Sequence, residues 1–218
     1  MPAAPPHGGT FDFAEGWNMS HNETLKYYNI NAVNFVHGTV NVDFGETQER
    51  FLKHIPPRGR ILDFGCGSGR DAKYFHTRGF EVDAVDGSEE LCKLACEYTG
   101  INVKQMLFSD LNAVEEYDGI WACASILHLS SSELKDVLLK MIKALKNGGI
   151  IYASFKYGEY EGLRNGRYFI DFTEMSFEKY IAGIANVKIV EIWITGDVRQ
   201  DRGDEKWLNL ILQKSDIH

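Results

Sequence analysis

The 218-residue chain has no run approaching the roughly 20 apolar residues that a membrane-spanning helix needs, so no such span is expected. It also lacks an excess of positive charge. With 23 Lys and Arg against 31 Asp and Glu, the formal net charge is −8. That balance argues against a general nucleic-acid binder, which needs a basic face to neutralise phosphates. Cysteine is scarce: Cys66, Cys92, Cys96 and Cys123. Cys92 and Cys96 stand four apart on one predicted helix face, but no third or fourth ligand lies nearby. No metal is therefore expected, and reduced thiols in a cytoplasmic protein are the simpler reading.

The content that remains is ordinary for a globular protein, with 44% hydrophobic and 25% charged residues. The length suits one α/β domain with its own core. Residues 1–18 are rich in Pro and Gly, show no helical or strand period, and lack the basic and apolar regions of a secretory signal. They read as a flexible or added leader. Residues 19–218 then form a single domain, in which residues 19–55 are an N-terminal helical lid.

The central stretch runs from Arg60 to Asp86, RILDFGCGSGRDAKYFHTRGFEVDAVD. Arg60–Phe64 reads as a buried strand, Gly65-Cys66-Gly67-Ser68-Gly69 as a tight turn, and Asp71–Phe75 as the start of a helix. Alternate glycines remove side chains that would hold a ligand away from the main chain. Phe80–Asp86 alternates into a second strand whose terminal acid could accept from a ribose hydroxyl pair. A dinucleotide site would want Gly-x-Gly-x-x-Gly, but Arg70 stands at the third glycine, and Asp63 before the turn suits an ammonium group better than a phosphate.

These residues resemble the class I S-adenosylmethionine-dependent methyltransferases. The likeness extends from about Tyr27 to about Leu212 and is strongest between Arg60 and Phe155. A second match is the amphipathic helix followed by Leu-Lys-Asn-Gly-Gly and an apolar strand. The resemblance implies a Rossmann-like α/β three-layer sandwich with a seven-stranded, mostly parallel sheet ordered 3-2-1-4-5-7-6 and an antiparallel edge. S-adenosyl-L-methionine is the cofactor it implies.

The cofactor set expected on that basis begins with Asp63, Gly65, Cys66, Gly67 and Arg70 at the turn and Asp86, Gly87 and Ser88 after the second strand. Asp110 would accept from the adenine amine, with Leu111 or Met106 against a ring face. Ala122 and Cys123 supply small residues where the fourth strand ends. Tyr28, on a helix predicted over Thr24–Phe35, reaches the cofactor carboxylate by analogy with the family, and His128 faces the reacting end as a candidate catalytic base. Lys156, Tyr157, Arg164, Tyr168 and Arg199 fall in loops at the substrate mouth, where the gathering of Lys156, Arg164, Arg167, Arg199, Arg202 and Lys206 invites an anionic acceptor.

Other elements read as helices over Gln48–His54, Glu89–Tyr98 and Ser176–Ala182, and as one capped by Ser132 and ended by Asn147-Gly148-Gly149. Strands are expected over Ile101–Gln105, Tyr117–Cys123, Ile150–Lys156, Val187–Thr195 and Trp207–Gln213. The turn Gly65–Asp71 looks like that of the small-molecule group that includes tellurite-resistance-type enzymes. No Asn-Pro-Pro-Tyr-like tetrapeptide of base-amine methylases is present. Methyl transfer to an O, N or chalcogen atom of a small acceptor, anionic or not, by a monomer or homodimer is the leading expectation. The rival readings are a tRNA methyltransferase, a dinucleotide-dependent oxidoreductase and a non-catalytic cofactor-binding protein.

Overall fold

The computed structural model describes residues 13–199 and 202–215, with the backbone alone described for 13–22. Residues 1–12 of the expected leader lie outside the described residues. The rest of that leader is helical: α1 (Phe13–Thr39) begins inside the stretch read as irregular and continues past Phe35. Once a helix is nucleated, each further residue adds a hydrogen bond without a new nucleus, so it can outrun its apolar stripe. α2 (Gly45–Leu52) starts three residues before the expected Gln48 and buries Phe51.

Next come β1 (Arg60–Phe64), α3 (Arg70–Thr77), β2 (Glu81–Asp86), α4 (Glu89–Thr99), β3 (Val103–Gln105), β4 (Tyr117–Ala122), α5 (Ser131–Ala144) and β5 (Leu145–Lys156). A hairpin of β6 (Glu161–Arg164) and β7 (Arg167–Ile170) follows, then α6 (Glu174–Ile181), β8 (Val187–Gly196) and β9 (Lys206–Lys214). The main sheet is ordered β3-β2-β1-β4-β5-β9-β8. The first five strands are parallel, and β9 pairs antiparallel with both β5 and β8. This is the expected Rossmann-like arrangement with one hairpin inserted in the chain, which turns strands 7 and 6 into β9 and β8.

Successive strand residues face opposite sides of the sheet, and β4 shows the consequence. Ile120 and Ala122 pack with Leu134, Leu138, Met141 and Phe177 on one side. Trp121 packs with Phe51, Phe75 and Tyr152 on the other. Two local readings need correction. Ser130, not Ser132, caps α5: its Oγ accepts from the Glu133 N–H, while Glu133 Oε2 accepts from the Ser130 N–H at 2.8 Å. That reciprocal box stabilises the earlier start. The helix also stops at Ala144, not at Asn147-Gly148-Gly149, because Leu145 already pairs with Tyr117 and the β4–β5 register shifts before Gly119 meets Ile150. Among the described residues no helix is long and apolar enough to cross a membrane.

Candidate functional site

A cavity of about 400 Å³ opens at the carboxyl ends of the parallel strands. That is where open α/β sheets hold ligands, and the volume is within the range of small-molecule sites. The turn after β1 makes its floor. Gly65 and Gly67 have φ of 85° and 54°, and a Cβ at Gly65 would lie 2.5 Å from Ser125 Cβ. A side chain at Gly65 therefore has neither the backbone angle nor the room. Gly69 does not line the cavity; a Cβ there would strike Thr99 of α4, so this third glycine serves packing.

Asp86 closes the floor. Its Oδ2 accepts from the Gly67 N–H at 2.9 Å and its Oδ1 from the Ser88 N–H at 2.9 Å. A carboxylate offers about four acceptor sites, so these contacts leave some acceptor capacity unspent. Burial pushes this carboxyl above its ordinary value, opposed by the Ser88, Gly67 and Gly87 N–H groups. Beneath the turn Asp63 is buried with Oδ2 unpartnered among the described residues, and burial followed by the nearby Asp71 charge raises it well above the usual carboxylate range.

Arg70 is bound bidentately by Asp71, Nε and Nη2 each at 2.8 Å, and lies over the Phe44 ring. Burial alone would lower the guanidinium pKa, but Asp71 holds it above its ordinary value. Asp71 also accepts from Gln48 Nε2 at 2.6 Å and Trp121 Nε1 at 2.9 Å. This hub was missed in the sequence, since its partners lie 23 and 50 positions away. Burial pushes the Cys123 thiol up to about 12 and raises Cys66 well above its usual value, so neither supplies a thiolate near neutrality.

The roof is α1 and the β6–β7 hairpin. Phe35 sits over Gly67 and Leu25 over Gly87, where added Cβ atoms would come within 2.9 and 2.7 Å of them. The main chain at Gly67 is thus covered rather than bare as expected. Asn29 accepts from the Ser88 hydroxyl at 2.7 Å, and Thr24 Oγ1 from the Tyr168 N–H at 3.1 Å. The His128 Nδ1 lies 2.6 Å from the Tyr168 carbonyl, which can only accept, so the proton belongs on Nδ1. Nε2 then accepts from the Tyr28 hydroxyl at 2.8 Å. Arg167 Nη1 reaches the Tyr28 oxygen at 3.4 Å. Burial raises the Tyr28 pKa, with Arg167 opposing, so the phenol keeps its proton.

At the far end Lys156 lies over the Trp207 ring and pairs with Asp197 and Glu205. Burial lowers its pKa to about 8 against the pull of Asp197. Asp197 also takes a bidentate contact from Arg199 at 2.8 and 2.5 Å and the Trp207 N–H at 3.0 Å. Burial would raise this carboxyl, but those donors hold it well below the usual range.

The structure brings Tyr28, Gly65, Cys66, Gly67, Arg70, Asp86, Gly87, Cys123, His128, Lys156 and Arg199 to one cavity. It does not bring the rest. Asp63 is buried below the turn, and Ser88 is the buried N-cap of α4. Asp110 is exposed off the cavity, while Leu111 and Ala122 are core residues. Of the expected adenine-site residues Met106 lines the wall, joined by Leu107, Phe108 and Ser109 in place of Asp110 and Leu111, because the turn Phe108–Asp110 carries the acid outward. Tyr157 alternates away from Lys156 and donates to Glu174, and Tyr168 alternates away from Arg167 and donates to Glu161. Arg164 is drawn off by buried Asp171 at 2.6 Å. Arg167, the other hairpin arginine of the expected cation cluster, does line the cavity, together with Phe35 and Phe169. The Asn165-Gly166 pair, both at positive φ, was the readable signal for a hairpin that would aim alternate residues inward.

A sequence profile of the methyltransferase-domain family matches residues 61–149. The chain is similar to the Bacillus subtilis protein YqeM, 29% identical over 117 residues covering 48% of this chain and 47% of that one. It is also similar to the "Probable S-adenosyl-L-methionine-dependent methyltransferase TehB" of Haemophilus influenzae, 29% identical over 130 residues covering 57% and 41%. The chain thus spans about half the length, or less, of these curated relatives. Among solved structures it is similar to the Burkholderia thailandensis 1,6-didemethyltoxoflavin-N1-methyltransferase with bound 1,6-didemethyltoxoflavin and S-adenosylhomocysteine. The TM-score is 0.73 at 20% identity, covering 99% of this chain and 94% of that one, a likeness of fold.

The residues present fit S-adenosylmethionine. A glycine floor that a Cβ would fill, spare acceptor sites on Asp86, and an apolar wall at Met106–Phe108 suit an amino-acid tail, a ribose and a base respectively.

Proposed function

Because residues 61–149 form a class I S-adenosylmethionine-dependent methyltransferase domain, with S-adenosyl-L-methionine as its cofactor, we propose that the protein methylates an oxygen, nitrogen or chalcogen atom of a small acceptor, with an anionic one favoured. One observation carries the acceptor size: the cavity is roofed by α1 and the β6–β7 hairpin rather than left as an open groove. A base embedded in a polynucleotide would meet that roof, and the overall negative charge also disfavours it. The cations that line the cavity, Arg167 in the roof and the carboxylate-paired Lys156 and Arg199 at the far end, support an acceptor with negative charge.

When bound, the cofactor supplies a methyl group already activated on a sulfonium. The chain's own residues then have to align the acceptor and exclude water. Asp86 and the main chain of the glycine turn hold one side, and Phe35 and Leu25 close the roof. His128 presents Nε2, with its proton fixed on Nδ1 by the Tyr168 carbonyl, as a group that can take a proton from an acceptor hydroxyl replacing Tyr28 there. Acceptors that bear a lone pair without a proton need no such step.

Calorimetry with S-adenosylhomocysteine and with nicotinamide dinucleotide, followed by an assay of S-adenosylhomocysteine release from S-adenosylmethionine over small anionic and neutral acceptors and bulk tRNA, tests the reading. Binding together with turnover of a small acceptor is expected. Preference for nicotinamide dinucleotide would favour the oxidoreductase, turnover on tRNA alone the nucleic-acid enzyme, and binding without turnover on any acceptor the non-catalytic protein.

A further inference from the structure

Among the cations that reach the cavity, Arg70, Lys156 and Arg199 each pair with a carboxylate, Arg202 lies 3.7 Å from Glu205, and Lys140 is only half-buried at the end of its flexible stem. Arg167 has no carboxylate partner among the described residues. Its Nε is buried and without a hydrogen-bond partner among the described residues, and Nη1 reaches the Tyr28 oxygen only at 3.4 Å. The rings of Tyr27, Phe169 and Tyr28 surround it, with centroids 4.5, 5.1 and 5.8 Å away. Aromatic faces recover part of the cost of desolvating a cation but leave its N–H donors unspent. An unpaired guanidinium in the wall of a cavity is therefore an incomplete arrangement that an anion would complete.

The hairpin explains how it gets there. Asn165 and Gly166 set the turn, and strand alternation sends Arg167 and Phe169 inward while the Tyr168 carbonyl holds His128. Arg167, Tyr28 and His128 consequently share one arc of the roof. A planar fork flanked by rings matches a planar two-oxygen group.

We propose that Arg167 is the carboxylate-binding residue of the transfer site, taking either the methionine tail of the cofactor or an acid group on the acceptor. The inference rests on the methyl-transfer reading above. It adds a residue to that reading and narrows the ligand to one bearing a carboxylate.

The test uses the full chain and two probes that differ only in the tail: S-adenosylhomocysteine and 5′-methylthioadenosine, which keeps the nucleoside and sulfur but has no amino acid. By calorimetry, Arg167→Met, which retains an apolar stem against the rings, should weaken S-adenosylhomocysteine about 10- to 100-fold. It should leave 5′-methylthioadenosine within about twofold, and Arg167→Lys should recover part of the loss. That pattern assigns the carboxylate to the cofactor.

If S-adenosylhomocysteine binds both proteins equally, the saturated proteins are titrated with acetate and benzoate while melting is followed. Protection of the wild type that Arg167→Met removes assigns the carboxylate to the acceptor. Equal affinity for both nucleosides together with no anion protection overturns the proposal, as does equal weakening of both nucleosides. A wild-type protein that binds neither nucleoside would instead overturn the methyl-transfer reading itself.

Discussion

The floor of the cavity and its roof are assembled over very different distances along the chain. On the floor, Asp86 holds Gly67 from 19 positions away and Ser88 from two, and the partners are backbone N–H groups. On the roof, Tyr28 meets His128 across 100 positions, Arg167 meets Tyr28 across 139, and Tyr168 meets Thr24 across 144. Main-chain contacts within one β-turn-α-β unit follow from local geometry and tolerate many side chains outside the glycines. Side-chain contacts between distant segments depend on where whole elements dock. The floor should accordingly fail abruptly under substitution, and the roof should weaken by degrees.

The sharpest test of that contrast is Gly65→Val. Both the φ of 85° and the 2.5 Å approach to Ser125 Cβ oppose a branched side chain, so stability should fall by about 3 kcal/mol or more in urea unfolding. A loss under about 1 kcal/mol would mean that the turn can relax and that the floor is as forgiving as the roof.

Asp86→Ala comes next. Removing a charged acceptor should weaken S-adenosylhomocysteine by about 1.5–3 kcal/mol in calorimetry, with circular dichroism unchanged. Unaltered affinity would move the ribose away from β2.

Lys156, at the end of β5 and outside both floor and roof, gives a reference point through pH. Burial lowers its folded pKa to about 8 from 10.5, so between those values the unfolded chain binds more protons than the folded one. Stability therefore carries a contribution that rises with pH across about 8 to 10.5, by no more than about 1.4 kcal/mol per unit. Lys156→Met should remove that rise when melting is followed against pH; an unchanged profile would show that Asp197 and Glu205 keep the lysine charged throughout.

The smallest effect is expected at Tyr28→Phe, which deletes the hydroxyl shared with His128 and Arg167 but keeps the ring packed against Phe35. A loss of about 1 kcal/mol is expected, together with faster amide exchange in α1 while β1 and β2 stay protected. Equal acceleration in floor and roof would erase the distinction between them.

Much of the architecture was legible because its signals are local. Arg60–Phe64, the alternate glycines and Asp86 announce a strand, a turn and a strand end without reference to the rest of the chain. The order of the sheet came from resemblance and survived the hairpin's insertion. The misreadings share a cause: each depended on which of two neighbouring residues a tertiary contact selects. Ser130 rather than Ser132 caps α5 because Glu133 reaches back to it. Of the two hairpin arginines expected at the mouth, only Arg167 enters the cavity, while Asp171 holds Arg164. Asp110 turns outward with the short helical turn that carries it, leaving Phe108 on the wall.

The sequence by itself determined the βαβ unit, the glycine floor and the acid after β2, since these need only backbone sterics and contacts a few residues long. The tertiary structure alone decided that α1 would cover Gly67 with Phe35, that the Tyr28 hydroxyl would donate to His128, and that Arg167 would face the cavity with no acid beside it among the described residues. Those outcomes depend on how a helix and a hairpin pack over the sheet, and that packing is settled by the summed burial of many side chains rather than by any motif.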